Sequence, residues 1–159
     1  MQHDSLQFRP MDEFDIPAVV ALEQSSQFTP WSAGNFRDAM AAGNLGLVGI
    51  WQGIMVAMAM LQMAAGEAEL LTMAVNRELR RRGFARQLLN ELIARAAAYG
   101  AAAIWLEVRV SNTPAIGLYR SAGFVDIGWR KDYYATADGH EDAMMMRLAM
   151  PGPQGETRA

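Results

Sequence analysis

The sequence contains no cysteine and only two histidines, His3 and His140. Without cysteine, the chain can form no disulfide, offers no thiolate to a metal and cannot carry an acyl group on a cysteine. Two imidazoles are too few for an ordinary zinc site, so no metal is expected. If the chain catalyses group transfer, these absences favour direct transfer between two substrates bound at the same time.

Long apolar runs and a basic leader are also missing. The longest apolar stretch, 45–65, is broken by Gln52 and Gly53 before it can form a membrane-spanning helix. The N-terminal sequence MQHDSLQF lacks both the basic and the hydrophobic part of a secretory signal. A net charge of −3 and a pI near 5.4 weigh against general nucleic-acid binding. We therefore expect a cytoplasmic protein that binds neither a membrane nor nucleic acid directly.

The composition indicates one globular domain. The 159 residues are 52% hydrophobic and 19% charged, which is enough for one core but not for two. We expect residues 1–150 to form this single domain. The segment 151–159 is rich in glycine, proline and polar residues, and it is predicted to be a disordered tail.

The hydrophobic pattern predicts the element order β-α-α-β-β-β-α-β-α-β-β. The predicted strands span 6–8, 45–51, 54–63, 70–75, 103–110, 124–133 and 141–148, and the predicted helices span 12–25, 32–40, 86–100 and 112–122. Short turns join antiparallel strands, whereas the strand–helix–strand passage through the third helix requires a parallel crossover. We therefore expect an α/β fold with a mixed sheet and helices on both faces.

The segment 70–86 combines a strand, a basic glycine-containing loop and the start of a helix. Three arginines at 80–82 precede Gly83, and Arg86 follows it. The first N–H groups of a helix have no partner within it and its dipole is positive there, so a phosphate fits at this end. The Walker and dinucleotide-binding glycine patterns are absent. Two interpretations stay open, a phosphate site for another ligand or a solvated basic loop that caps a surface helix.

Two further positions carry candidate catalytic groups. Glu107 interrupts the apolar run 102–108, and a buried carboxylate has a raised pKa that suits a general base. Alternatively, Glu107 lies at an exposed strand end or pairs with Arg109, and Glu69 on the preceding strand is a rival base. Tyr119 lies on an amphipathic helix, where it is either a proton donor or a core tyrosine with its hydroxyl at the rim.

Two motifs resemble signatures of the GNAT N-acetyltransferases. The pattern R-x-x-G-x-A from Arg80 to Ala85 resembles the coenzyme A pyrophosphate motif, with arginine where glutamine is frequent and alanine where a second glycine often lies. The pattern N-x-x-A-x-x-L-Y-x-x-x-G-F from Asn112 to Phe124 resembles a second, more specific signature. The resemblance implies acetyl-CoA as the cosubstrate. It also implies the GNAT fold, a mixed and mostly antiparallel sheet with a splayed parallel strand pair.

Further segments narrow the resemblance to ribosomal-protein-alanine N-acetyltransferases of the RimI type, which acetylate the N-terminal alanine of a small-subunit ribosomal protein. These segments are 30–32, 67–75, 105–109, 132–134 and 141–143. The resemblance implies that Glu107 is the proton acceptor and Tyr119 the proton donor. The implied acetyl-CoA contacts are Met73, Ala74, Val75, Arg81, Arg82, Gly83, Phe84, Ala85, Arg86 and Asn112. A backbone N–H near 73–75 would stabilise the oxyanion.

The acceptor slot is the least determined part of the site. Trp31, Tyr133 and Tyr134, with a predicted loop at 135–140, would form its walls, although paired tyrosines at a strand end are often ordinary cross-strand packing. Glu141 and Asp142 either attract a cationic N-terminus or form an exposed acidic pair. Two other functions stay open, a GNAT enzyme acting on lysine or a small-molecule amine, and a non-catalytic module that binds acyl-CoA.

Overall fold

The computed structural model describes residues 5–151, so the predicted disordered tail lies outside the described residues except for Pro151. The predicted element order is confirmed, with two short 3-10 helices added at Glu13–Asp15 and Arg77–Leu79. The strands are β1 Gln7–Pro10, β2 Leu45–Trp51, β3 Ile54–Ala64, β4 Glu67–Val75, β5 Ala103–Arg109, β6 Val125–Thr136 and β7 Gly139–Ala149. The helices are α1 Ile16–Ser26, α2 Ala33–Ala41, α3 Phe84–Ala98 and α4 Thr113–Ser121.

The strands form a seven-stranded sheet in the order β1-β2-β3-β4-β5-β7-β6. Strand β2 is antiparallel to β1 and β3, and β7 is antiparallel to β5 and β6. The turns at 52–53 and 65–66 have positive φ at every residue, which is typical of tight hairpins, so β3 and β4 are antiparallel as well. Among residues 5–151, the one parallel pair is β4 and β5, which α3 connects. The predicted mixed, mostly antiparallel sheet is therefore confirmed.

The chain divides into two compact units, and the first comprises residues up to Gln62 together with Leu70–Leu92. Its core contains Ile16, Val19, Phe36, Val48, Met58 and Met60. Ser32 caps the start of helix α2, as predicted. The Ser32 hydroxyl accepts a hydrogen bond from the Asn35 N–H, and the Asn35 side chain accepts one from the Ser32 N–H. This reciprocal capping box satisfies donors that the first turn leaves unpaired.

The second unit comprises Met63–Glu69 and the residues from Ile93 onward. Its fully buried apolar residues include Ile104, Leu106, Phe124 and Met146. Asn112 caps the start of helix α4, which has proline in its first turn, as predicted. The expectation of a single domain at 1–150 stays a prediction.

Helix α3 begins at Phe84. The prediction that the loop extends through Ala85 is therefore wrong. Gly83 adopts a left-handed φ of 80° immediately before the helix, and the Phe84 side chain is buried. The first helical hydrogen bond joins the Gln87 N–H to the Gly83 carbonyl. Burial of Phe84 therefore extends the helix by two residues toward the arginines. At the other end of α3, Gly100 is left-handed with a φ of 80°, as its predicted role requires.

The hairpin of β6 and β7 is longer than predicted. The predicted loop at 135–140 is wrong, because Ala135 pairs with His140 and Thr136 with Gly139 within the ladder. Only two residues, at 137–138, form the turn. Strand β1 also continues through Pro10, which a terminal strand of a sheet tolerates.

Candidate active site

The basic loop before α3 has the backbone of an anion site. Arg81 and Gly83 both have positive φ, 69° and 80°. A left-handed conformation is unfavourable for arginine, so the loop stores strain of the kind that is frequent at ligand sites. A Cβ on Gly83 would meet no atom within 4 Å, so the space beside its backbone is open. The N–H groups of Phe84 and Ala85 precede the first helical hydrogen bond, at the positive end of the helix dipole.

Aromatic packing holds this helix start in place. The Phe84 ring lies 5.5 Å from the Trp51 ring between centroids, and the Arg82 guanidinium lies 4.9 Å from the centre of the same tryptophan. The Gln87 side chain accepts a hydrogen bond from the Leu6 N–H at 2.8 Å. Arg82 thus has Trp51 as a cation–π partner, which the sequence alone did not indicate.

Buried Glu23 connects the end of β4 with the segment that follows α1. Its carboxylate accepts hydrogen bonds from the Thr72 hydroxyl at 2.7 Å and from the backbone N–H of Trp31 at 3.0 Å. Burial raises the pKa of Glu23, although these two hydrogen bonds oppose the shift. Residue 72 directly precedes Met73, so one carboxylate orients both the predicted coenzyme strand and the predicted acceptor residue Trp31. Sequence reasoning missed Glu23, although its helical spacing from Ile16 and Val19 places it on the buried face.

Glu107 lies on β5 with its side chain 13% exposed and forms an ion pair with Arg130 at 2.8 Å. Arg109 pairs with Glu141 at 3.1 Å, and the alternative in which Glu107 pairs with Arg109 stays a prediction. The negative charge of Glu107, together with burial and a hydrogen bond between Tyr133 and Glu107, raises the pKa of Tyr133. Glu107 is therefore a largely buried carboxylate with one cationic and one phenolic neighbour.

Glu69, the rival base, lies close enough to Glu107 for the two charges to interact. Burial raises the pKa of Glu69, the negative charge of Glu107 raises it further, and Arg130 opposes both effects. The charge of a neighbouring carboxylate favours the protonated form of Glu69, as desolvation does. The geometry of the second unit therefore keeps both residues as candidates for the general base.

Tyr119 is buried on α4, with its ring 5.6 Å from that of Phe124. Burial raises the pKa of Tyr119 strongly, and the neighbouring Tyr134 adds to the shift. Tyr134 in turn has its pKa raised to about 12, chiefly by burial and then by the charge of Glu107. Tyr134 therefore interacts electrostatically with both Glu107 and Tyr119. A phenol of raised pKa stays protonated at neutral pH and can serve as a proton donor.

Other predicted residues have structural partners of their own. The Asn112 side chain caps α4 by accepting a hydrogen bond from the Ala115 N–H at 3.3 Å. Glu141 accepts hydrogen bonds from Ser111 and Arg109, which outweigh the effect of burial and lower its pKa. Asp142 accepts a hydrogen bond from the Asp132 N–H at 2.9 Å. The acidic pair at 141–142 is therefore engaged by Arg109, Ser111 and Asp132 rather than simply exposed to an incoming amine.

None of the four helices, all of which lie within residues 5–151, is long and apolar enough to cross a membrane. Over that same range, no group of three or more acidic or histidine side chains could hold a metal ion.

The model of the acetyltransferase (GNAT) family matches residues 13–124, which is more than half of the chain. The chain belongs to this family. The [ribosomal protein bS18]-alanine N-acetyltransferase of Escherichia coli K12 is 39% identical over 138 residues, covering 87% of this chain and 93% of that enzyme. Its counterpart from Salmonella typhimurium is 41% identical over 134 residues, covering 84% and 90%.

A solved structure extends the likeness from sequence to fold. The crystal structure of the ribosomal-protein-S18-alanine N-acetyltransferase from Escherichia coli is similar to this GNAT protein with a TM-score of 0.89 and 36% identity. The similarity covers 97% of this chain and 99% of that one. The expected GNAT fold is therefore confirmed.

Proposed function

We propose that this GNAT protein transfers the acetyl group of acetyl-CoA to the N-terminal α-amine of a ribosomal protein that begins with alanine. The observation that carries the proposal is the identity of 39–41%, over most of both chains, with enzymes named for that activity. The acceptor is a ribosomal protein, so the proposed reaction takes place in the cytoplasm. Neither nucleic acid nor a membrane is required as a partner.

The coenzyme roles are assigned to the basic loop, the end of β4 and the start of α4. The open space at Gly83, the left-handed Arg81 and the N–H groups of Phe84 and Ala85 suit the coenzyme's phosphates. Arg82 and Arg86 add positive charge to the same loop. We assign Met73, Ala74 and Val75 to the thioester arm, and Asn112 to a further coenzyme contact.

The catalytic roles follow from the proton balance of the reaction. A protonated α-amine, with an ordinary pKa of about 7.7–8.0, must lose one proton before it can attack. Glu107 takes that proton, directly or through water, and Glu69 is its alternate. The acetyl thioester supplies an activated carbonyl, where a C–N bond forms and the C–S bond breaks. Tyr119 gives its proton to the departing thiolate, so no cysteine intermediate is needed.

The acceptor roles are assigned to Trp31, Tyr133 and Tyr134. The Trp31 ring packs on Phe36 at 5.1 Å between ring centroids. The backbone N–H of Trp31 donates a hydrogen bond to Glu23. Tyr133 is 49% exposed, so a peptide can reach its ring. Aromatic side chains supply large contact areas at low entropic cost, which suits recognition of an extended peptide end.

The proposal is tested with two peptides of the same sequence, which begins with alanine and contains one internal lysine. One peptide has a free N-terminus and the other an acetyl-blocked N-terminus. Incubation with acetyl-CoA and intact-mass analysis should show one added acetyl group on the free peptide only. Acetylation of the blocked peptide at lysine would refute α-amine specificity, and absence of turnover on the free peptide would favour a non-catalytic module.

A further inference from the structure

The hairpin of β6 and β7 contains an irregularity at the two tyrosines assigned to the acceptor site. Arg130 pairs with Ala143, and the next regular pair is Tyr134 with Glu141. The three residues 131–133 therefore lie opposite the single residue Asp142. Strand β6 thus carries a bulge at this point, and bulges redirect the side chains of the strand that holds the extra residues.

Asp132 and Asp142 hold the bulge through a backbone contact. Asp132 has a left-handed φ of 53°, a conformation that aspartate tolerates better than most residues. Its N–H donates a hydrogen bond to the Asp142 carboxylate at 2.9 Å. The Asp142 carbonyl accepts a hydrogen bond from the Val110 N–H at 3.2 Å, which ties this residue to the end of β5. A charged acceptor makes the bond from Asp132 a strong one.

The bulge brings two consecutive tyrosines to the same side of the sheet. Side chains of consecutive residues in a regular strand point to opposite faces. Here the rings of Tyr133 and Tyr134 lie 5.0 Å apart in an edge-to-face arrangement. Tyr133 interacts with Glu107, and the Arg109 guanidinium lies 4.4 Å from the Tyr134 ring centre. Residues 107 and 109 are two apart on β5 and share one face, so both tyrosines lie over the face that carries the proposed base.

We propose that Asp142 and Asp132 are positioning residues for the peptide acceptor, which they affect by fixing the Tyr133–Tyr134 pair beside Glu107. This inference rests on the proposed function. Neither aspartate contacts the acceptor; the carboxylate of Asp142 and the left-handed backbone of Asp132 set where the two phenol rings lie. Their ligand is the extended N-terminal end of a peptide.

The first test compares Asp142→Ala with Asp142→Asn, which keeps a side-chain oxygen that can accept the Asp132 N–H. Asp142→Ala should raise KM for the alanine-starting peptide about tenfold, because misplacement of positioning groups by about 1 Å costs up to about 100-fold. KM for acetyl-CoA should stay within about twofold. Asp142→Asn should restore most of the peptide KM. Asp126→Ala is the matched control, since Asp126 also lies on β6 but pairs with Arg120.

The second test addresses the backbone of the bulge. Asp132→Gly keeps the N–H donor and adopts positive φ freely, so its peptide KM should equal that of the wild type. Asp132→Val disfavours positive φ and should behave like Asp142→Ala. Equal kinetics for Asp132→Gly and Asp132→Val in folded protein would overturn the inference.

A readout without turnover separates this inference from the proposed function. Nuclear Overhauser contacts between the rings of Tyr133 and Tyr134 should be present in the wild type and Asp142→Asn and lost in Asp142→Ala. Ring contacts that persist in Asp142→Ala would overturn the inference even if the wild type acetylates the peptide. A wild type that keeps the ring contacts but acetylates no peptide would refute the function and, with it, the acceptor role of the bulge.

Discussion

Tyr119 shows how the surroundings of a single side chain determine its chemistry. The residue is buried, and burial raises the pKa of its phenol, with Tyr134 as a second cause. An ordinary tyrosine ionises near pH 10, whereas a raised pKa keeps this one protonated through the neutral and mildly alkaline range. The rate should therefore rise with pH as the acceptor amine loses its proton, and it should not fall again where ordinary tyrosines begin to ionise.

Replacing Tyr119 by phenylalanine removes the proposed proton donor but keeps the ring that packs on Phe124. We expect turnover to fall by about 10²- to 10⁴-fold, the usual contribution of a general acid, with little change in stability. Initial rates at saturating substrates and a thermal melt measure the two effects. Tyr99→Phe is the control, since Tyr99 is 66% exposed at the end of α3. Turnover of Tyr119→Phe within twofold of the wild type would remove this residue from the mechanism.

Residue-level prediction from the sequence succeeded where the signal was local and failed where partners come from distant segments. Glu107 was a candidate because it interrupts an apolar strand, and the structure confirms that it is largely buried. Its partner Arg130 lies 23 positions away on β6, two strands from β5 in the sheet, and no spacing rule identifies such a pair. Helical periodicity was sufficient to place Glu23 on the buried face of α1. Its hydrogen bond from the Thr72 hydroxyl, however, depends on packing between α1 and β4.

At the level of elements, helix α3 offers two glycines in nearly identical backbone conformations at its two ends. Gly83 precedes the helix and Gly100 follows it, both with a φ of 80°, and a Cβ on either would meet no atom within 4 Å. The sequence indicated a role for each glycine. A helix commonly ends in a left-handed glycine, which fits Gly100, and a phosphate loop needs small residues, which fits Gly83. The sequence misplaced the helix start, because burial of Phe84 against Trp51 is a tertiary effect.

The two glycines allow backbone strain to be separated from ligand binding. Valine at either position is strained, so Gly83→Val and Gly100→Val should each lower the free energy of unfolding by about 1–2 kcal/mol. Only Gly83→Val should abolish binding of acetyl-CoA, because only there does the side chain enter the proposed phosphate site. Urea unfolding and titration calorimetry measure the two quantities. Coenzyme affinity that is unchanged in Gly83→Val, or lost equally in Gly100→Val, would contradict the loop assignment.

At the level of the whole molecule, three elements are shared by both compact units, and the first of them, β3, changes unit between Gln62 and Met63. Strand β4 contributes Glu67–Glu69 to the second unit and Leu70–Val75 to the first, and α3 changes unit between Leu92 and Ile93. Unfolding of one unit would therefore break a continuous strand and a continuous helix in the middle. A state with one unit unfolded would have broken hydrogen bonds inside regular elements and therefore a high free energy. This favours cooperative unfolding of the chain. The sequence predicted one domain because the chain is too short for two cores of ordinary size.

Heat unfolding in the presence and absence of acetyl-CoA tests this cooperativity together with coenzyme binding. We expect one transition without ligand, and at about 100 times Kd the ligand should stabilise the folded protein by about 2.7 kcal/mol. For a chain of this length that raises Tm by roughly 5–10 °C, since each kcal/mol is worth about 2–4 °C. Gly83→Val should melt in one transition that acetyl-CoA does not move. Two transitions, of which acetyl-CoA shifts only one, would show that the units unfold separately and would refute the single-domain prediction.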